Sequence, residues 1–296
     1  MIPPIANRFV AGESAVSVLD RARELNDRGI GAICNRLGEH YDSRGPADED
    51  VEAYRRLLAE FRSRGLRACV SVKPTQLGLR VDEALFRENL VRVVDAAVGD
   101  GRGDGAGGGD GGAGAAGFVW LDMEGPGTTE PTLAAFEAVS PANPGRVGVC
   151  LQANLARTEQ DVDRLADVPG KVRLVKGAYD PPEGEGVRDA DAVNAAYEAR
   201  LGELFETRGG ADQGVAVGTH DPRMIDLARS LAAEHGTDFE VQMLMGVRED
   251  EQDRLARDLD VWQYVPYGER WFAYFSRRVA ERRENVLFAL RAVLGR

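Results

Sequence analysis

Short apolar runs rich in β-branched residues alternate along the chain with longer stretches whose apolar positions recur every three or four residues. The runs are 29–37, 67–74, 117–124, 146–154, 171–179, 214–220, 239–245 and 260–266, each the length of a buried strand. Between them, segments such as AVSVLDRARELNDR, DEDVEAYRRLLAEFRSR and DAVNAAYEARLGELFETR carry the helical period. Several of these open on Asp, Thr or an acidic first turn, as helix starts should. Strand–helix alternation calls for a mainly parallel sheet, because parallel neighbours need a crossover between them. Eight such units in roughly 250 residues predict a (β/α)8 barrel. The competing arrangement is an open doubly wound sheet, weakened in its dinucleotide form because no G-x-G-x-x-G follows the first strand.

One segment breaks the rhythm. Residues 99–117, GDGRGDGAGGGDGGAGAAG, cannot bury a core and read as a flexible insert. Lying between a helix and the next strand, it belongs at the N-terminal face of a barrel, away from chemistry. The loop at 180–191, DPPEGEGVRDAD, follows a strand and should overhang the C-terminal face. The expected organisation is one barrel domain over 1–296 carrying that insert.

The formal net charge of −12 argues against nucleic acid as a partner. Only Lys73, Lys171 and Lys176 are lysines among 37 basic residues, so each invites an explanation. Lys171 opens a strand at the far end and reads as surface. Cys34, Cys69 and Cys150 have neither CxxC nor zinc spacing and read as core residues in a reducing compartment. The N-terminus lacks a signal-peptide pattern and no run reaches about 18 apolar residues, so the expected location is cytoplasmic.

A barrel carries its chemistry where strands end. Lys73 ends the second run, Asp122 and Glu124 the third, Gln152 and Asn154 the fourth. Arg173, Lys176 and Tyr179 lie on the fifth, Thr219, His220 and Asp221 close the sixth, and Gln242 and Tyr264 sit on the seventh and eighth. A single polar residue of this kind is more often a structural hydrogen bond or ion pair; a ring of them at one end favours a site. Lys73 or Lys176 could serve as a point charge or as a Schiff-base amine. His220 alone is more often structural, no metal-binding pattern is present, and no metal is expected. The ring lacks a strong protein nucleophile, which points to chemistry carried by a cofactor. Beyond the last strand, Tyr274, Arg277, Arg278 and Glu281 share one helical face. Such a face is ordinarily solvated, but it could also clamp a small carboxylate.

The segments SVKPTQLG (71–78), WLDMEG (120–125), VCLQANLART (149–158), RLVKGAY (173–179), VGTHD (217–221), EVQMLMG (240–246) and YVPYGERWFAYFSRRVAER (264–282) occur in an order that resembles the proline dehydrogenase family. The chain is similar to the short monofunctional form and to the matching domain of bifunctional proline utilisation flavoenzymes. The resemblance covers about residues 70–282. It implies a distorted (β/α)8 barrel with a final helix over the C-terminal mouth, noncovalent FAD, and oxidation of L-proline to Δ1-pyrroline-5-carboxylate by hydride transfer to flavin N5. Electrons would pass to a membrane quinone, with peripheral contact at the inner face, and the product to a pyrroline-5-carboxylate dehydrogenase. Asp122 and Arg173 would take catalytic positions, with Arg173 near N5. Lys73, Tyr179, Leu244, Tyr264 and Tyr274 would surround the substrate, and Arg277 and Arg278 would pair with its carboxylate. Met123, Gln152, Val175, Lys176, Gly177, Ala178, Thr219, His220, Asp221 and Gln242 would bind FAD, Gln152 through the flavin ring.

Departures from the bifunctional pattern stand at Asn154, Asp180 and Asp221. Three other readings remain open: a Schiff-base lyase using Lys176 or Lys73, a carboxylate receptor without turnover, and a hydroxyproline dehydrogenase. Tyr264 argues against the last, since it fills the space a ring hydroxyl would need.

Overall fold

The computed structural model describes residues 6–99, 117–178, 180–272 and 274–276. Eight parallel strands close into a barrel in sequence order: Gly31–Arg36 (β1), Ala68–Val72 (β2), Val119–Leu121 (β3), Val147–Gln152 (β4), Gly170–Val175 (β5), Gln213–Gly218 (β6), Phe239–Leu244 (β7) and Asp260–Tyr267 (β8). Closure runs through β1 and β8, which pair from Gly31↔Trp262 to Arg36↔Tyr267. Each strand overlaps the run expected from the pattern. The (β/α)8 reading is therefore correct and the open sheet is not.

The helices are Ala15–Asp27 (α1), Arg44–Ser63 (α2), Glu83–Val98 (α3), Thr129–Val139 (α4), Thr158–Leu165 (α5), Ala190–Thr207 (α6), Pro222–His235 (α7) and Glu249–Leu255 (α8). Ser14, Asp82, Asp189 and Asp221 each accept a backbone N–H at the start of α1, α3, α6 and α7. These caps satisfy donors that have no partner inside the helix. Their inner faces bury residues such as Leu57, Leu58 and Phe61 of α2 against the outer side of the strands. Each such side chain contributes about 1.5–3 kcal/mol relative to exposure.

The distortion lies in which helix fills which slot. α1 precedes β1 and packs beside β1 and β8, where a helix following β8 would sit in a regular barrel. Arg21 of α1 fixes this by donating Nε and Nη2 to Gln263 Oε1 of β8 at 3.2 and 2.8 Å. With that slot taken, the chain after β8 turns elsewhere. Residues 271, 272 and 274–276 are helical, and Tyr274 is buried against Phe9, Val10 and Leu37.

The barrel interior is filled by aromatic side chains, with Phe118, Trp120 and Trp262 around Ile33 and Ala216. Trp120 has room because β4 carries Gly148 opposite it, where an added Cβ would lie 2.5 Å from the ring. Lys171 does not fit the surface reading. Its ammonium pairs with the buried Glu240 and lies 5.4 Å over the Phe118 ring. Strand alternation turned it inward, and a period-2 pattern gives no warning when the inward residue is charged.

The insert at 100–116 and the stretch beyond Ser276 lie outside the described residues. The ends of the insert, Gly99 and Gly117, join α3 to β3 at the N-terminal face, as expected. No helix among the described residues is long and apolar enough to cross a membrane.

Candidate active site

A cavity of about 640 Å³ opens where the strands end. That volume falls in the range of small-molecule and cofactor sites. Its wall gathers Lys73 after β2, Asp122 and Met123 after β3, Arg173 and Val175 on β5, Lys176, Gly177 and Ala178 after it, and Tyr264 on β8. Thr219, His220 and Asp221 after β6, Gln242 and Leu244 on β7, and Tyr274 complete it.

Asp122 is the hub of the floor. It accepts hydrogen bonds from Ser71 Oγ at 2.6 Å, Tyr264 Oη at 2.7 Å and Arg173 Nη2 at 2.5 Å, and Lys73 Nζ stands 3.7 Å away. Burial works against its charge. Arg173 and Lys73, helped by Ser71 and Tyr264, outweigh that and hold its carboxyl below the ordinary value. Burial, then the Asp122 charge, pushes the Tyr264 phenol far up, so the ring remains a neutral donor. Arg173 is buried, lies 4.9 Å over the Trp120 ring, and donates Nη1 to Gln242 Oε1 at 3.0 Å. Two cations against one carboxylate leave the floor positive, which suits an anionic ligand.

The side wall is built from the β5 and β6 loops. Lys176 Nζ lies 2.6 Å from Asn194 Oδ1 and 3.1 Å from Asp221 Oδ2. Burial raises the Asp221 carboxyl, but hydrogen bonds from Arg223 and Lys176 bring it below its usual range. Asp221 also caps α7, so the Thr219–Asp221 turn carries the helix N-terminus to the cavity rim. His220 Nε2 accepts the Leu244 N–H at 3.2 Å, so this nitrogen ties β6 to β7. Gly177 has φ of +123°, and an added Cβ would lie 2.1 Å from Asn154 Oδ1. Only glycine lets this backbone run so close to Asn154.

Gln152 stands apart from the other expected cofactor residues. It is buried but does not line the cavity: Nε2 donates to Glu124 O at 2.9 Å and Oε1 accepts from Ala178 N at 3.3 Å. Its amide props the 176–178 backbone from behind. Glu124 is likewise structural, accepting from Thr75 N and Oγ1 at 2.8 and 2.7 Å. The 180–191 loop overhangs this face as expected, pinned where Leu155 bridges Gly186. Tyr179, Arg277 and Arg278 lie outside the described residues.

Four wall residues were not anticipated: Asn35, Cys150, Gly218 and Met243. Asn35 had a signal, a polar residue ending an apolar strand, and its Nδ2 donates to Ser71 O at 2.8 Å. Cys150 reads as core in any sequence pattern, and burial does push its thiol up, yet it also borders the cavity. Gly218 and Met243 carried no signal.

Residues 18–291 match the family model for proline dehydrogenase. Proline dehydrogenase 2 of Bacillus subtilis (strain 168) is 32% identical over 292 residues, covering 97% of this chain and 90% of its own length. The proline dehydrogenase of Deinococcus radiodurans is 33% identical over 298 residues, covering 98% of this chain and 90% of its own. Among solved structures, proline utilization A from Bdellovibrio bacteriovorus, inactivated by N-propargylglycine, superposes with a TM-score of 0.79 at 23% identity over 93% of this chain. Proline utilization A from Corynebacterium freiburgense gives 0.77 at 21% identity over 94%. The chain spans about a third of the length of those two structures, 32% and 31%, and they share its fold.

Proposed function

This chain belongs to the proline dehydrogenase family, and on that premise we propose that it oxidises L-proline to Δ1-pyrroline-5-carboxylate with noncovalently bound FAD. The observation that carries the reading is the cluster of buried Asp122 and Arg173 with half-buried Lys73 and Tyr264 on the floor of the cavity. The residues present suit a flavin nucleotide. Met123, Val175 and Leu244 offer apolar contact for a planar ring system, while Lys176, Thr219 and the α7 N-terminus offer charge and hydrogen bonds for phosphate. Bound flavin would supply the two-electron acceptor at N5.

The chain's own residues bind, orient and exclude water. Proline must lose a hydride from the ring carbon beside nitrogen and a proton from nitrogen, so no protein nucleophile is required. Arg173, fixed by Asp122 and Gln242, gives a preorganised positive charge whose position costs no rearrangement during reaction. Lys73 balances the substrate carboxylate from the floor, and Leu244, Tyr264 and Tyr274 shape the space around the pyrrolidine ring. The tether from Tyr264 to Asp122 keeps that ring where a substrate hydroxyl would have to go, which favours proline over hydroxyproline. Arg277 and Arg278 are assigned the carboxylate clamp on the sequence pattern. Electrons would pass on to a membrane quinone by peripheral contact at the cytoplasmic side, and the product to a pyrroline-5-carboxylate dehydrogenase.

The Schiff-base alternative is disfavoured by the lysines themselves. Lys73 faces Asp122 and Lys176 faces Asp221, and an amine committed to an ion pair is not the free nucleophile that imine formation needs. The deciding test is the absorption spectrum of the purified protein before and after anaerobic L-proline. A flavin spectrum that bleaches supports the reading. A flavin spectrum unmoved by proline removes the substrate, and a colourless protein that FAD cannot reconstitute removes the oxidoreductase.

A further inference from the structure

Beneath the cavity floor a second polar column continues down the barrel. Alternation along β7 turns Glu240, Gln242 and Leu244 inward, and along β5 it does the same for Lys171, Arg173 and Val175. Lys171 Nζ pairs with Glu240 Oε2. Glu240 Oε1 accepts Gln242 Nε2 at 2.6 Å, and Gln242 Oε1 accepts Arg173 Nη1 at 3.0 Å. Glu240 is buried and does not border the cavity.

An amide has one donor end and one accepting end, whereas a carboxylate only accepts and a guanidinium only donates. Gln242 can therefore serve Arg173 in one orientation alone. Turned over, its NH2 would oppose the guanidinium, donor against donor. Glu240 is the group that selects the useful orientation, because it binds only the NH2 end. Lys171 in turn keeps Glu240 from standing as an uncompensated buried charge.

We propose that Glu240 is a positioning residue: it locks the Gln242 amide so that Arg173 is held over the cavity floor by Gln242 on one side and Asp122 on the other. The proposal goes beyond the proline dehydrogenase reading, resting on it only for what Arg173 does to substrate and flavin.

The test compares Glu240→Gln with Glu240→Asp, both at a residue that does not border the cavity. In Glu240→Gln the group at 240 can donate as well as accept, either amide can turn, and the lock is lost. In Glu240→Asp the group at 240 still only accepts, so the Gln242 amide keeps its orientation across a longer hydrogen bond. The first readout uses no ligand: the Gln242 side-chain amide signal in protein carrying 15N-glutamine, assigned by its loss in Gln242→Glu. Slow hydrogen exchange is expected in the wild type and fast exchange in Glu240→Gln, with Glu240→Asp between them. The second is the rate of anaerobic flavin reduction by L-proline at 25 °C in protein with full flavin content. It should fall roughly tenfold in Glu240→Gln, the scale of one charge-assisted hydrogen bond, and less than about threefold in Glu240→Asp. A purely structural role would show in thermal stability and leave the rate at 25 °C unmoved. Wild-type exchange or a wild-type rate in folded, flavin-loaded Glu240→Gln overturns the lock, as does a Glu240→Asp protein slowed as much as Glu240→Gln. If Glu240→Gln does not fold, Glu240→Asp decides: faster amide exchange with a slower rate supports the lock, and faster exchange at the wild-type rate overturns it. A wild-type protein that proline fails to reduce would sink the functional reading, and the amide signal would still decide the lock.

Discussion

Asp122→Asn isolates the charge at the centre of the site while keeping the shape of the side chain. Its partners would remain, with Arg173 Nη2, Lys73 Nζ and Tyr264 Oη still converging on position 122. The amide keeps one acceptor but brings two donors toward a cluster that already donates. Breaking a buried ion pair on one side costs about 3–5 kcal/mol, and the retained acceptor puts this case near the lower end, about 3 kcal/mol. For a chain of this size that lowers Tm by roughly 6–12 °C near neutral pH. The pH dependence supplies a sharper check. The folded-state pKa of Asp122 lies below its ordinary value of 3.8, so its ionisation stabilises the fold in full above that value. The contribution is lost as pH falls from there through the folded-state value. Melting curves of wild type and Asp122→Asn from pH 7 to pH 3 should therefore differ most at neutral pH and converge toward the acid end. Equal Tm values at pH 7, or a gap that stays constant down to pH 3, would refute the account of Asp122 as the charge that holds this cluster together.

Arg277→Ala or Arg278→Ala should raise KM for L-proline about 30-fold or more while flavin stays bound, since a desolvated charge pair is worth about 2–5 kcal/mol; an unchanged KM sinks the clamp. Tyr264→Phe removes the donation to Asp122 at 2.7 Å, and steady-state kinetics should show kcat/KM for L-proline lowered about tenfold. Lys176→Met should weaken FAD binding to apoprotein by about tenfold in a fluorescence titration, and unaltered affinity would remove Lys176 from the cofactor site. Gly148→Ala places a methyl group 2.5 Å from the Trp120 ring, and overpacking of that kind costs about 1–3 kcal/mol, readable as a lower denaturation midpoint.

Much of this molecule was legible in its chain. Apolar runs with β-branched residues, separated by helical stripes, determine the strands and the helices between them among the described residues, because burial on both faces leaves a parallel strand little other composition. The polar residues that interrupt those runs near their ends mark the cavity, since an unpaired polar group inside a barrel is too costly to keep without a use. Lys73, Asp122, Arg173, Lys176 and Tyr264 were all found this way, and all face it.

Depth and partnership came only from the tertiary structure. Gln152 and Gln242 look alike along the chain, each near the end of a strand, yet Gln242 borders the cavity and Gln152 supports a loop behind it. Lys171 sits at a strand start that reads as surface, yet it meets Glu240 inside the barrel across 69 residues of sequence. A strand's period of two says which face a side chain takes, but the tilt and stagger of eight closed strands set its height and its neighbours. The same holds for α1, whose apolar stripe announces a buried face without saying that it fills the slot beside β8. That occupancy sends the chain after β8 toward the mouth and brings Tyr274 into the cavity wall. Local pattern determined the elements and their inward faces; closure of the barrel, a property of all eight strands at once, decided which inward residues touch.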